Sequence, residues 1–83
     1  MEFKKEIKEF VIENFLFGDG EMLKEETDFF KKGIIDSTGI LELICFLEES
    51  FDITIEDDAI TQKNFSSVNS INNYLTKKIT KSL

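Results

Sequence analysis

The chain has 83 residues, with 17 acidic and 10 basic side chains, no His and one Cys, and a net charge of −7 at neutral pH. This length supports one domain, residues 1–83, and 41% hydrophobic residues, including nine Phe, suffice for a core. One Cys without His excludes an internal disulfide and a thiolate–imidazole zinc site, and we expect no metal site. No apolar run reaches the roughly 18 residues of a membrane span, and the amino terminus does not resemble a secretory signal. We therefore expect a cytoplasmic, monomeric domain.

The charge is distributed unevenly along the chain. Residues 1–35 carry nine acids and six bases, residues 36–60 carry eight acids and no base, and residues 61–83 carry four lysines and no acid. A concentrated negative field repels the phosphates of nucleic acids and attracts basic protein surfaces. The pattern argues against nucleic-acid binding and indicates a protein partner for the middle of the chain.

The first predicted helix covers Glu2 to Phe15, where apolar residues recur at three- and four-residue steps. Gly18 and Gly20 favour the turn conformations that end a helix, so we expect it to stop near Leu16.

A connection of about twenty residues separates this helix from the next one. A connection of this length must pack on the core to be ordered. We expect a short helical turn near Glu21–Glu25 and a local turn closed by Thr27 and Asp28. The apolar residues predicted to anchor the connection are Leu23, Phe29, Phe30, Ile34 and Ile35.

The second predicted helix runs from Ser37 to about Ser50 and has two distinct faces. The residues that share the predicted core face are Ile40, Ile44, Leu47 and Phe51, with Leu43 beside them. The residues that fall on a narrow outward stripe are Thr38, Glu42, Cys45 and Glu49. This stripe is therefore available to a partner.

The last part of the chain predicts two further helices. Residues 52–55 alternate like extended chain but are too few for a sheet. The acids of Glu56–Ile60 suit the first turn of a short third helix. Ser66 or Ser67 can cap a fourth helix, whose apolar repeat is Val68, Ile71, Leu75 and Ile79. The predicted fold class is all-α, a small four-helix bundle with a long loop between helices one and two and a short third helix.

The Asp36–Ser37 pair at the start of the second helix is the candidate for chemistry. Its structural alternative is an N-cap, a common reason to find Ser or Asp at a helix start. Ser37 is not expected to be a catalytic nucleophile, because the chain has no His to act as its base and no G-x-S-x-G elbow around it. A serine that another enzyme modifies needs no such machinery, and a helix N-terminus favours an attached phosphate.

The stretch Gly33–Ser37, followed by Leu41–Leu43 and Phe46–Ile53, resembles the core motif of acyl carrier proteins, and the likeness continues into the last helix. The resemblance implies an acyl-carrier-protein-like bundle in which Ser37 receives 4'-phosphopantetheine from coenzyme A. The arm would hold acyl or aminoacyl groups as thioesters for biosynthetic enzymes, and the chain itself would not be an enzyme. The implied partners are a phosphopantetheinyl transferase, a loading ligase and downstream synthases or transferases with basic surfaces.

The residues predicted to bind these partners are Asp36, Thr38, Leu41, Glu42, Cys45, Glu48, Glu49, Glu56 and Asp57. Taken alone, the acids could equally form a solvated surface. Gly39, just after the serine, predicts either a frayed helix start or close approach by a partner or the arm. Two alternatives stay open, a discrete peptidyl- or D-alanyl-type carrier with amino acid cargo and an unmodified acidic helical adaptor.

Overall fold

The computed structural model describes residues 3–18 and 20–82, among which there are helices, turns and loops but no β-strand. α4 packs against both α1 and α3. The four helices are α1 (Lys4–Phe15), α2 (Gly39–Phe51), α3 (Gln62–Phe65) and α4 (Val68–Ser82). The predicted all-α bundle, with its long first loop and short third helix, is confirmed. None of the described helices is both long enough and apolar enough to cross a membrane.

The core is formed by one face of each long helix together with the first loop. The residues of this core with no exposed surface are Ile7, Val11, Phe29, Leu43, Leu47, Phe65, Val68, Ile71 and Leu75. The predicted core face of α2 is confirmed for Ile40, Ile44 and Leu47, and Leu43 proves to be as buried as any of them. Phe51 is only half-buried, because it lies at the last position of α2, where its ring meets the edge of Phe3 at a centroid distance of 4.9 Å.

α1 ends where its sequence predicts, at the cap residue Leu16. Two successive residues then adopt left-handed backbone angles, Phe17 at φ 52° and Gly18 at φ 88°. The Ile12 carbonyl accepts from both the Leu16 N–H at 3.2 Å and the Gly18 N–H at 2.9 Å, so the turn folds back onto the last turn of the helix. Gly20 serves packing instead, since a Cβ atom there would lie 2.9 Å from the Ile12 Cδ1 atom. The predicted start of this helix, Glu2, lies outside the described residues.

The first loop packs on the core as predicted. Leu23, Phe29 and Ile35 are buried, while Phe30 and Ile34 are half-buried. The predicted helical turn exists as a 3-10 turn at Gly20–Met22, slightly earlier than expected. The loop is therefore a fixed part of the fold.

Hydrogen bonds hold the loop in shape and tie it to the helices. The Thr27 hydroxyl accepts from the Lys24 N–H at 2.9 Å. The Asp28 carboxylate accepts from the N–H groups of Phe30 and Lys31. The Glu25 carbonyl accepts from the Asn69 N–H of α4 at 3.0 Å. Thr27 and Asp28 therefore close local turns, as predicted.

The third helix lies later than predicted. Residues predicted to start it, Glu56–Ile60, contain only a 3-10 turn at Asp57–Ala59. Thr61 is extended, its Oγ1 atom accepts from the Asn64 N–H at 3.3 Å, and α3 begins after it. The acids favour a helix N-terminus, but the side chain that is fully buried and fixes the helix is Phe65. α4 is capped as predicted, because the Ser67 hydroxyl accepts from the N–H three residues on at 3.1 Å.

Candidate functional site

Asp36 caps the start of α2. Its Oδ1 atom accepts from the Gly39 N–H at 2.6 Å, and its carbonyl accepts from the Ile40 N–H at 3.0 Å. Thr38 has helical backbone angles and makes no side-chain cap of its own. Asp36 is therefore the N-cap, and the first turn of helical backbone contains Ser37 although the regular helix begins at Gly39.

Ser37 is exposed and follows the capping residue directly. Asp36 therefore has the N-cap role that was the structural alternative for this pair. The Ser37 hydroxyl takes no part in the cap. The hydroxyl stands at the amino end of a 13-residue helix. Backbone N–H groups and the helix dipole make this end favourable for a phosphate group.

Gly39 is buried, and its role differs from both predicted ones. A Cβ atom at this position would lie 2.8 Å from Phe15 Cε1 and 3.2 Å from Ile35 Cγ2. The absence of a side chain therefore lets the end of α1 and the end of the first loop close onto the first turn of α2. The expectation of a frayed start or a partner approach is corrected, because this space is filled by the protein itself.

The predicted outward stripe of α2 is confirmed, since Thr38, Glu42, Cys45 and Glu49 are all exposed. Leu41 beside them keeps 56% of its surface exposed, which is unusual for a large apolar side chain. Together they line one wall of an open groove of about 560 Å³.

The other wall of this groove comes from α1 and was missed by sequence reasoning. Phe10 and Asn14 line it, and the Phe10 ring stacks on Phe46 with centroids 4.2 Å apart and an interplanar angle of 20°. Phe46 is half-buried, and this contact covers one face of its ring. In the sequence, Phe10 belongs to the apolar repeat of the first helix and Phe46 lies beside the core face of the second, and neither position identifies the partner of the ring.

The acids predicted to bind partners lie in different environments in the structure. Glu42 and Glu49 are exposed on the groove. Glu48 is half-buried, and its Oε2 atom accepts from the Ile55 N–H at 2.8 Å, so it fixes the chain that leaves α2. Glu56 and Asp57 are exposed in the connection to α3. Binding of a partner by any of these residues stays a prediction.

The negative field of the α2–α3 connection reaches α4. Burial raises the pKa of the Tyr74 phenol, and the carboxylates of Glu56, Asp58 and Glu48 raise it further. Cys45 is a free, exposed thiol on the groove. Within the described residues, no group of three or more acidic or Cys side chains could hold a metal ion.

Comparison with known proteins identifies relatives in streptococci, although no protein-family model matches the chain. The D-alanyl carrier protein of Streptococcus mutans serotype c is 34% identical over 71 residues, which is 86% of this chain and 87% of that protein. The D-alanyl carrier protein of Streptococcus sanguinis matches with the same identity and coverage.

Solved structures match the fold over almost its whole length. The NMR structure of a holo acyl carrier protein from Nitrosomonas europaea has a TM-score of 0.81 at 21% identity and covers 96% of this chain and 99% of that one. A second match is the crystal structure of an engineered Bradyrhizobium japonicum glycine:[carrier protein] ligase with an Agrobacterium tumefaciens carrier protein. It has a TM-score of 0.74 at 24% identity and covers 92% of this chain and 99% of the matched one. At these identities the structural matches describe the fold alone.

Proposed function

The chain belongs to the acyl carrier protein family, and on that premise we propose that Ser37 carries 4'-phosphopantetheine and that the cargo is D-alanine. The attachment site is supported by the separate roles of two adjacent residues at the start of α2. Asp36 provides the cap through its contact with Gly39, and Ser37 offers an exposed hydroxyl group at the helix N-terminus. The chain is a carrier, so the chemistry belongs to the enzymes it meets.

The residues of the chain fit a covalently attached phosphodiester. The Ser37 Oγ atom would lose its proton to a base of the transferase and form a new bond to the pantetheine-bearing phosphorus of coenzyme A. The pyrophosphate bond of coenzyme A would break in the same step, its nucleotide half would leave, and the transferase would supply the metal ion. Asp36 keeps the first turn rigid, so the hydroxyl is held in one place on the surface. The positive end of the α2 dipole favours the negative charge of the product. When bound, the arm supplies a thiol that forms the thioester with the cargo.

D-alanine is the proposed cargo because the streptococcal relatives, at 34% identity over most of both chains, are D-alanyl carrier proteins. The glycine ligase complex is a precedent for an amino-acid-activating enzyme meeting a carrier of this fold. We therefore propose two partners with basic surfaces, a phosphopantetheinyl transferase and an ATP-dependent D-alanine ligase. Because coenzyme A and ATP are cytoplasmic donors, the proposed compartment is the cytoplasm.

Intact mass spectrometry tests the attachment site. The protein is incubated with coenzyme A, magnesium and a broad-specificity phosphopantetheinyl transferase. The wild type should gain one phosphopantetheinyl group, and Ser37→Ala should gain none. Thr54→Ala, which removes another exposed hydroxyl group just after α2, should be modified like the wild type. A wild type that several active transferases leave unmodified would favour the unmodified acidic adaptor.

The cargo is tested on the holo protein. Incubation with ATP, D-alanine and a D-alanine-activating carrier-protein ligase should add one alanyl group that hydroxylamine removes, as expected for a thioester. L-alanine, glycine and a fatty acid with its own ligase serve as competing cargoes. A holo protein that accepts a fatty acyl group but not D-alanine would show that the cargo part of the proposal is wrong and that the chain is an acyl carrier of another pathway.

A further inference from the structure

The stacked pair of Phe10 and Phe46 has an open groove on each side. The larger groove, with Glu42 and Glu49 on its α2 wall, has a volume of about 560 Å³. A smaller groove of about 320 Å³ lies on the opposite side of the same rings and is lined by Glu6, Glu9, Glu13 and Ser50. The two half-buried rings line both grooves, and we call this pair the floor of the surface between α1 and α2.

Two of the three lysines of α1 lie on the side of the first loop, and the third, Lys5, is exposed one helical turn before Glu9. Lys4 faces the first loop, where its Nζ atom lies 2.8 Å from the Glu25 carboxylate. Lys8 lies four residues later and therefore on the same side of α1. The hydrogen bond and charge of Lys4, and then the charge of Lys8, lower the pKa of the Glu25 carboxyl. The acids Glu9 and Glu13 are exposed and line the smaller groove instead.

The surface therefore has an aromatic floor between two acidic edges. Glu6, Glu9 and Glu13 recur at three- and four-residue steps on α1, and Glu42 and Glu49 follow the facing edge of α2. Neither groove is lined by Lys among the described residues. Like charges four residues apart, such as Glu9 and Glu13, destabilise an isolated helix, and a basic partner would remove that repulsion.

We propose that the docking surface of this carrier extends from α2 onto α1, where it binds a partner segment that presents a large apolar side chain between basic residues. The apolar side chain covers the Phe10–Phe46 floor, and Lys or Arg on either side reach the acidic edges of both helices. This inference rests on the proposed function, and the occupant is a surface segment of the ATP-dependent ligase that loads the amino acid. Charge complementarity supports this occupant over an anionic membrane surface, which the acids repel.

The test compares two double variants that change the net charge equally. Glu9→Gln with Glu13→Gln neutralises the α1 edge, and Glu21→Gln with Glu26→Gln neutralises exposed acids outside both grooves. Loading of each holo variant by the ligase is followed at steady state. The α1 variant should raise KM about five-fold with kcat unchanged, while the control should raise it about two-fold or less. The difference should shrink as salt is added. Equal KM values for the two variants would overturn the inference.

A second measurement separates this inference from the proposed function. Equilibrium binding of the ligase is measured for the two double variants and for the unchanged acids, each combined with Ser37→Ala. None of these proteins can carry the arm. Weaker binding of the α1 variant than of its control supports the docking surface even if Ser37 proves to be unmodified. A ligase that loads the holo protein but binds both variants equally overturns the docking surface and leaves the proposed function standing.

Discussion

Replacing Asp36 with Ala should destabilise the fold, whereas replacing its neighbour Ser37 with Ala should not. The Asp36 carboxylate accepts from the Gly39 N–H at 2.6 Å, and it stands at the positive end of the α2 dipole. Ser37 is exposed and has no part in this cap. The two substitutions are adjacent and both leave Ala at the start of α2, so each serves as the control for the other.

The magnitude follows from the two contributions that Asp36 makes. Loss of an N-cap costs about 0.5–2 kcal/mol, and a carboxylate at a helix N-terminus contributes about 0.3–1 kcal/mol through the dipole. We expect Asp36→Ala to lower the free energy of unfolding by about 1–2 kcal/mol. Asp36→Asn keeps an acceptor oxygen and removes the charge, so it should lose only the dipole contribution. For a domain of this size, each kcal/mol corresponds to a fall in Tm of about 4–8 °C.

Urea denaturation of the apo proteins, followed by far-ultraviolet circular dichroism, provides the measurement. The expected order of stability is wild type and Ser37→Ala together, then Asp36→Asn, then Asp36→Ala. If Ser37→Ala is destabilised as much as Asp36→Ala, the serine also caps α2 and the assignment of separate roles to these residues is incorrect.

Three further predictions concern stability. Glu48→Ala should cost about 1–3 kcal/mol because it leaves the buried Ile55 N–H without an acceptor, whereas Glu48→Gln should keep most of the stability in the same urea assay. Folding raises the pKa of Tyr74, so the contribution of Tyr74 to stability should be constant below its ordinary value of about 10 and should be lost as pH rises through the higher value of the folded protein. Tyr74→Phe should remove that fall, and the tyrosinate absorbance of this chain, which has one Tyr and no Trp, reports the titration directly. Added monovalent salt should raise the Tm because it screens the eight acids of residues 36–60, and a Tm indifferent to salt would contradict that repulsion.

The three long helices could be predicted because each has a buried face with the helical repeat. Ile7 and Val11 of α1, Leu47 of α2, and Ile71 and Leu75 of α4 all lie at such positions and are all fully buried. A local pattern is sufficient here because burial along a helix depends on which face a residue occupies, and the spacing in the sequence sets that face.

Contacts between distant residues explain what could not be predicted. Glu48 resembles Glu49 in the sequence, but only the structure reveals its hydrogen bond to Ile55, seven residues later. The third helix was placed too early because the acids at its predicted start matched a helix N-terminus, while its actual position depends on burial of Phe65 against α4. The groove between α1 and α2 depends on an aromatic pair separated by more than thirty residues.

Two residues near the serine show why its hydroxyl is available. Asp36 is occupied with the cap, and Gly39 is occupied with the close packing of Phe15, so both neighbours serve the fold. The ring of Phe15 also meets Phe10 at a centroid distance of 6.0 Å, and Phe10 stacks on Phe46. This chain of contacts joins the turn that bears Ser37 to the floor of the surface between α1 and α2. Because these contacts are direct, we expect a partner that binds the proposed docking surface to meet Ser37 in a set position relative to that surface.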